Sequence, residues 1–104
     1  MDIIIQSLGF TAGDGLEEFV REKLDRFDNE IKIIRATATL YIGSAANPSR
    51  CYCEIRLEVP GKDLFVKKNS DTFDKAIIDT IDTIHKNIHK LKGKQLDRRH
   101  ESFR

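Results

Sequence analysis

Between Phe73 and Leu91 six large apolar side chains, Phe73, Ile77, Ile81, Ile84, Ile88 and Leu91, follow one another at steps of 4, 4, 3, 4 and 3. That spacing lines one stripe of an α-helix and cannot line one face of a strand, where side chains alternate with period two. Asn69, Ser70 or Asp71 offers the cap that opens this helix. A long helix with a single apolar stripe must lay it on another surface, so the remainder of the chain has to supply an apolar face of matching length.

Residues 51–59, CYCEIRLEV, supply such a face. Cys51, Cys53, Ile55, Leu57 and Val59 fall on one side and Tyr52, Glu54, Arg56 and Glu58 on the other, the alternation of a strand buried on one face. Residues 33–42 repeat the pattern, with Ile34, Ala36, Ala38, Leu40 and Ile42 sharing a side. Residues 2–8, DIIIQSL, are β-branched and short, and form a further strand. Val59-Pro60-Gly61-Lys62 places Pro and Gly at the two central positions of a type II turn leading to a strand over 63–68. Residues 43–50 are a loop by composition. Apolar residues at 16, 19, 20, 24, 27 and 31 give an earlier helix reaching about Asp28, with the Thr11-x-x-Asp14 spacing marking its start. The order is β-α-β-β-β-α. The fold class is α+β: a four-stranded, mostly antiparallel sheet with two helices packed on one face and the other face wet. The first strand joins through a right-handed βα crossover.

A chain of 104 residues suits one domain. We divide it into a βαβββα domain over 1–94 and a basic tail over 95–104, where apolar periodicity gives way to charge. No apolar run approaches the ~20 residues of a membrane span. The N-terminus MDIIIQSLGF carries an acid at position 2 and no basic region, so it reads as a strand and not as a signal peptide. The expected location is the cytoplasm, with Cys51 and Cys53 reduced.

Catalytic chemistry finds no foothold. There is no glycine elbow around a Ser or Cys, no phosphate loop and no GxGxxG. Adjacent acids such as Glu17 and Glu18 project on different sides of a helix. Cys51-x-Cys53 with His85-x3-His89 has the look of four metal ligands. Yet same-face neighbours on a strand stand roughly 6.5–7 Å apart, too far for two thiolates on one zinc at a Zn–S distance of about 2.3 Å. The sequence therefore predicts no enzyme, no cofactor, no metal and no small-molecule substrate.

Charge distribution carries more information than its sum. Residues 86–104 hold seven Lys/Arg and two acids, 7 − 2 = +5, whereas residues 1–85 hold eleven and fifteen, 11 − 15 = −4. A positive end on a mildly acidic body orients a protein on a polyanion. On the second helix Lys86 and Lys90 are i, i+4 neighbours, with Lys92 and Lys94 following. Its acids, Asp71, Asp74, Asp79 and Asp82, all lie in the first half. The helix dipole favours that order by only about 0.3–1 kcal/mol per charge and does not account for the basic run continuing through Arg98, Arg99 and Arg104. On the first helix Lys23 falls on the flank of the apolar stripe between Phe19 and Phe27, able to bury its stem and keep its head at the rim. With Arg21 and Arg26 it forms a second basic cluster, expected beside Lys86 and Lys90. Together these form a ridge that engages phosphates on two sides of a groove.

Taken in order, the βαβββα pattern, the segment GLEEFVREKLDRFDNEI, the Pro-Gly hairpin and SDTFDKAIIDTIDTIHKNIHKLK closely resemble the ribosome hibernation-promoting factors. These are also called the ribosome-associated inhibitor or sigma-54 modulation protein family, here in its short form. The resemblance covers roughly residues 1–95. It implies a stress factor that binds the small ribosomal subunit (16S-type rRNA), blocks the channel for mRNA and tRNA, and is a monomer when free. The family's basic positions fall on Lys23 and Arg26 of the first helix and on Lys86, Lys90 and Lys92 of the second; one family lysine is replaced by Thr83. Arg21 and Lys94 are added as candidates on charge alone. Two other readings remain at this stage: a protein-interaction module using the open sheet face, and a general double-stranded-RNA binder.

Overall fold

The computed structural model describes the backbone of residues 1–102 and the side chains of residues 1–92. Its elements are β1 (Asp2–Leu8), α1 (Asp14–Asp25) followed by a 3-10 turn (Arg26–Asn29), β2 (Arg35–Ile42), β3 (Cys51–Val59), β4 (Lys62–Ser70) and α2 (Phe73–Ser102). The four strands form one sheet in the order β1-β2-β3-β4. β1 runs parallel to β2, and the two other pairings are antiparallel. The expected α+β class and element order hold.

The central strands explain why the helices lie on one side. Ala36, Ala38 and Leu40 of β2 and Cys53, Ile55 and Leu57 of β3 are all fully buried, and they share one core with Val20 and Leu24 of α1, Phe27, and Ile77, Ile81, Ile84 and Ile88 of α2. From Phe73 to Ile88 the α2 stripe read from the sequence is the stripe that packs, whereas Leu91 is half-buried and lines two clefts at the surface. Ala76 and Thr80 join it with no exposed surface. The Thr80 hydroxyl donates to the Ala76 carbonyl at 2.7 Å, within its own helix, so a polar group is buried without being orphaned.

Several local expectations change. The start of α1 is not a Thr11 cap: Gly13 occupies the N-cap position with extended backbone and no side-chain cap. The Gly13 carbonyl instead accepts from the Leu16 and Glu17 amides at 3.1 and 3.2 Å. The α2 cap is Thr72, whose hydroxyl accepts from the Lys75 amide at 3.3 Å. Asn69 and Ser70 belong to β4, and Asp71 pairs with Lys75 at 3.3 Å. The Ser70 hydroxyl, and after it Lys75, hold the Asp71 carboxyl below its ordinary range. β2 begins at Arg35, so Ile33 is buried while Ile34 and Ile42, read as inward, are about half exposed at the strand ends. The Pro60-Gly61 turn is as expected, with Gly61 at φ +79°, the left-handed geometry a type II turn requires at that position.

The open sheet face is internally paired. Tyr41 and Tyr52 lie opposite each other and stack with ring centroids 5.0 Å apart. Lys67 sits 5.4 Å from the Tyr52 ring, and its ammonium is held above its ordinary value, first by a hydrogen bond with Tyr41. Arg56 pairs with Asp63 and covers Phe65, and Arg35 pairs with Glu58. Among the described residues no helix is long and apolar enough to cross a membrane.

Candidate nucleic-acid interface

The six candidate cations whose side chains are described, Arg21, Lys23, Arg26, Lys86, Lys90 and Lys92, all reach solvent, with only Lys23 half-buried. Its ammonium lies 5.4 Å from the Phe19 ring, so the stem runs over apolar surface while the head stays at the rim. Within the described residues none of the six makes an ion pair, whereas Arg35, Arg56 and Lys75 each do. An unpaired exposed cation keeps its full attraction for a phosphate, because no protein partner must first be displaced.

Their placement differs from two adjacent rows. The groove between α1 and α2 is lined by Lys23 and Arg26 on one bank and by Ile78, Ile81, Asp82 and His85 on the other, with Phe27 and Glu30 between. The flank of α2 that faces α1 is thus occupied by Asp82 and His85 and not by the lysines. Lys90 is on the opposite flank, lining a cleft with Lys62, Asp63 and Phe65 of β4 and Asn87 and Leu91 of its own helix. Lys92 lines a third cleft with Glu30, Lys32, Pro60 and Lys62. The cations therefore fall in two places, Lys23 and Arg26 beside the first half of α2 and Lys90 and Lys92 in clefts at its middle, instead of forming a pair of parallel ridges. Lys94 and the basic tail, with Arg98, Arg99 and Arg104, lie outside the residues whose side chains are described.

Two further cations emerge that the sequence reading passed over. Lys32 follows the 3-10 turn and Lys62 opens β4 beside the Pro-Gly turn, and both meet Lys92 in one cleft. Each reads in the sequence as an ordinary loop charge. Only the parallel β1–β2 pairing and the β3–β4 hairpin bring both to the end of the sheet that the second half of α2 crosses. The four lysines 32, 62, 90 and 92 make this the strongly positive end of the described surface, opposed locally by Glu30 and Asp63.

Among the described residues the Cys pair joins no group of metal-ligating side chains. Cys53 is fully buried in the core, and burial pushes its thiol up to about 11. Cys51 is half-buried at the start of β3, its thiol donating to the Asp71 carbonyl at 3.6 Å.

The sequence pattern of the family described as Sigma 54 modulation protein / S30EA ribosomal protein matches residues 3–96. No curated protein sequence matches the chain. Among solved structures, a ribosomal subunit interface protein from Coxiella burnetii is similar at a TM-score of 0.76 and 19% identity, covering 89% of this chain and 99% of that one. The N-terminal domain of Protein Y from Thermus thermophilus is similar at 0.74 and 20% identity, covering 88% and 99%. At such identities the likeness is one of fold.

Proposed function

This chain belongs to the Sigma 54 modulation protein / S30EA ribosomal protein family, and on that premise we propose that it binds the small ribosomal subunit and silences translation by occupying the channel for mRNA and tRNA. The observation that carries the reading is the set of exposed cations on α1, α2 and the sheet end, none of them in an ion pair among the described residues. Lys86, Lys90 and Lys92 contribute from α2, Arg21, Lys23 and Arg26 from α1 and the turn after it, and Lys32 and Lys62 join at the sheet end. Lys94 extends the set on the strength of its sequence position. Their role is to neutralise rRNA phosphates, so recognition follows the shape of the folded RNA and its backbone more than its base sequence. The protein acts by occupancy, without a chemical step, in the cytoplasm, under the stress conditions that idle ribosomes.

Against the reading of a protein-interaction module stands the open sheet face itself. Its charges, Arg35, Arg56 and Lys67, are already engaged with Glu58, Asp63 and the tyrosine pair, which leaves little to attract an acidic partner. A general double-stranded-RNA binder would hold any naked duplex as well as the intact subunit.

The experiment is co-sedimentation of the purified chain with small subunits, with naked duplex RNA as competitor. The wild type is expected in the subunit fraction and to resist competition. Lys86→Glu with Lys90→Glu, both exposed, should retain the wild-type circular dichroism spectrum and remain at the top of the gradient. Wild-type sedimentation by the doubly substituted protein would remove these lysines from the interface.

A further inference from the structure

Where the 3-10 turn meets α2, three groups with lone pairs converge. The Nε2 atoms of His85 and His89 are 3.0 Å apart, and the Glu30 Oε1 is 3.6 Å from the His85 Nε2. Ligand atoms of all three residues lie within 4.8 Å of one another. The other carboxylate oxygen of Glu30, Oε2, is buried with no hydrogen-bond partner among the described residues.

Protons alone satisfy this arrangement poorly. One hydrogen satisfies the His85–His89 pair, and Glu30 Oε1, at 3.6 Å from the same His85 nitrogen, then has no donor from either ring aimed at it. A single cation at their centre removes the conflict. Ligands bound to zinc at about 2.0–2.1 Å with tetrahedral angles are separated from one another by roughly 3.3–3.4 Å. The two measured separations bracket that value, and the third pair lies within 4.8 Å.

We propose that Glu30, His85 and His89 form a three-ligand site for a divalent transition-metal ion of the zinc type. Two imidazoles and one carboxylate suit zinc, cobalt or nickel and disfavour magnesium and calcium, which prefer all-oxygen shells. The His-x3-His spacing on α2 puts both rings on one side of the helix, one turn apart. Glu30 arrives from a separate element, held at the end of the 3-10 turn by its amide donating to the Phe27 carbonyl at 3.0 Å. The residue after His85 is Lys86, where metal-dependent hydrolases of the H-E-x-x-H type carry their general base, so the site binds and braces without hydrolysing. The neighbouring groove is lined by Lys23 and Arg26, which oppose a cation, and by Asp82, which with Glu30 offsets them. Its volume of about 200 Å³ admits an ion with its waters but is below the ~300–1,000 Å³ of small-molecule sites. Among the described residues neither imidazole has a hydrogen bond on its second nitrogen, which would ordinarily add about 10–100-fold in affinity. Bound metal would tie the segment carrying Arg26 to the turn of α2 carrying Lys86 and Lys90.

The full chain, kept reduced, is titrated with Zn²⁺, Co²⁺ and Mg²⁺ by calorimetry. Expected are one Zn²⁺ per chain, visible d–d absorption from bound Co²⁺, a higher melting temperature with Zn²⁺, and no heat with Mg²⁺. His89→Ala, at an exposed position, and Glu30→Gln, which keeps the side chain's size, should each weaken Zn²⁺ binding at least tenfold and abolish the thermal shift. Cys51→Ser should change nothing. The proposal is overturned by any of three results: no Zn²⁺ binding, unchanged affinity in both His89→Ala and Glu30→Gln, or loss of binding in Cys51→Ser.

Discussion

Two isoleucines on α2 offer a controlled comparison. Ile84 is 1% exposed and faces the sheet; Ile78, six residues earlier, is 42% exposed at the edge of the groove beside α1. The same truncation to alanine removes three carbons from each. At about 0.8 kcal/mol per buried methylene-sized group, Ile84→Ala forfeits roughly 2.4 kcal/mol of transfer free energy, and the cavity left in the core brings the total to about 3–4. Ile78→Ala leaves no enclosed void and loses about half the transfer term, roughly 1 kcal/mol. The gain in helix propensity, less than ~0.7 kcal/mol, is the same at both sites and widens their ratio. Urea denaturation followed by circular dichroism measures the two midpoints against the wild type. If the slopes agree, the ratio of midpoint shifts equals the ratio of free energies, at least threefold. Equal shifts would refute the assignment of the α2 stripe, and with it the claim that the lysines two and six residues past Ile84 face outward.

Other outcomes can be checked with equally simple assays. With about five phosphate contacts, log affinity for small subunits should fall with log salt at a slope of roughly −3.5 to −4.5, and Lys90→Gln with Lys92→Gln should flatten it by about 1.4–1.8. An unchanged slope would place both lysines off the RNA. For Cys53 the folded value near 11 lies above the unfolded 9.0. Its contribution is therefore intact below about pH 9 and is lost as pH rises through about 11, by up to roughly 3 kcal/mol; Cys53→Ala should remove that alkaline loss from the urea midpoint. A thiol reagent at neutral pH should label Cys51 in the native protein and Cys53 only on unfolding. Gly61→Ala, with open space around the new methyl group but φ at +79°, should cost about 1–2 kcal/mol through backbone strain alone, seen as a lower melting temperature.

What was legible in the sequence was whatever a local period encodes. The 4-4-3-4-3 stripe, the alternation of 51–59 and the Pro60-Gly61 turn each specify geometry within a few residues, and each stands in the fold as read. Capping was less legible, because Thr11, Asn69, Ser70 and Thr72 are all competent caps and tertiary position selects among them. α1 starts from Gly13 with no side-chain cap, and β4 claims Asn69 and Ser70 as partners of Tyr52 and Cys51. The surface was legible in composition but not in arrangement. A helical wheel places Lys86 and Lys90 outward without saying which flank α1 will cover, and the packing gives that flank to Asp82 and His85. Lys32, Lys62 and Glu30 were invisible for the same reason: their neighbours come from elements distant in sequence.

The sheet's one parallel pairing has a kinetic corollary. β2, β3 and β4 are joined by hairpin connections, whereas every β1–β2 partnership, such as Asp2 with Arg35, spans thirty-three positions and must wait for α1 to be enclosed between them. Closing that long loop brings its entropic penalty before any reward, so the meander of three strands with α2 condenses early and the N-terminal strand zips on late. In native-state hydrogen exchange, the amides of Ile4 and Gln6, which the parallel register aims at β2, should open at lower free energy than those of Ile55 and Leu57, marking β1 as less committed than the central strands.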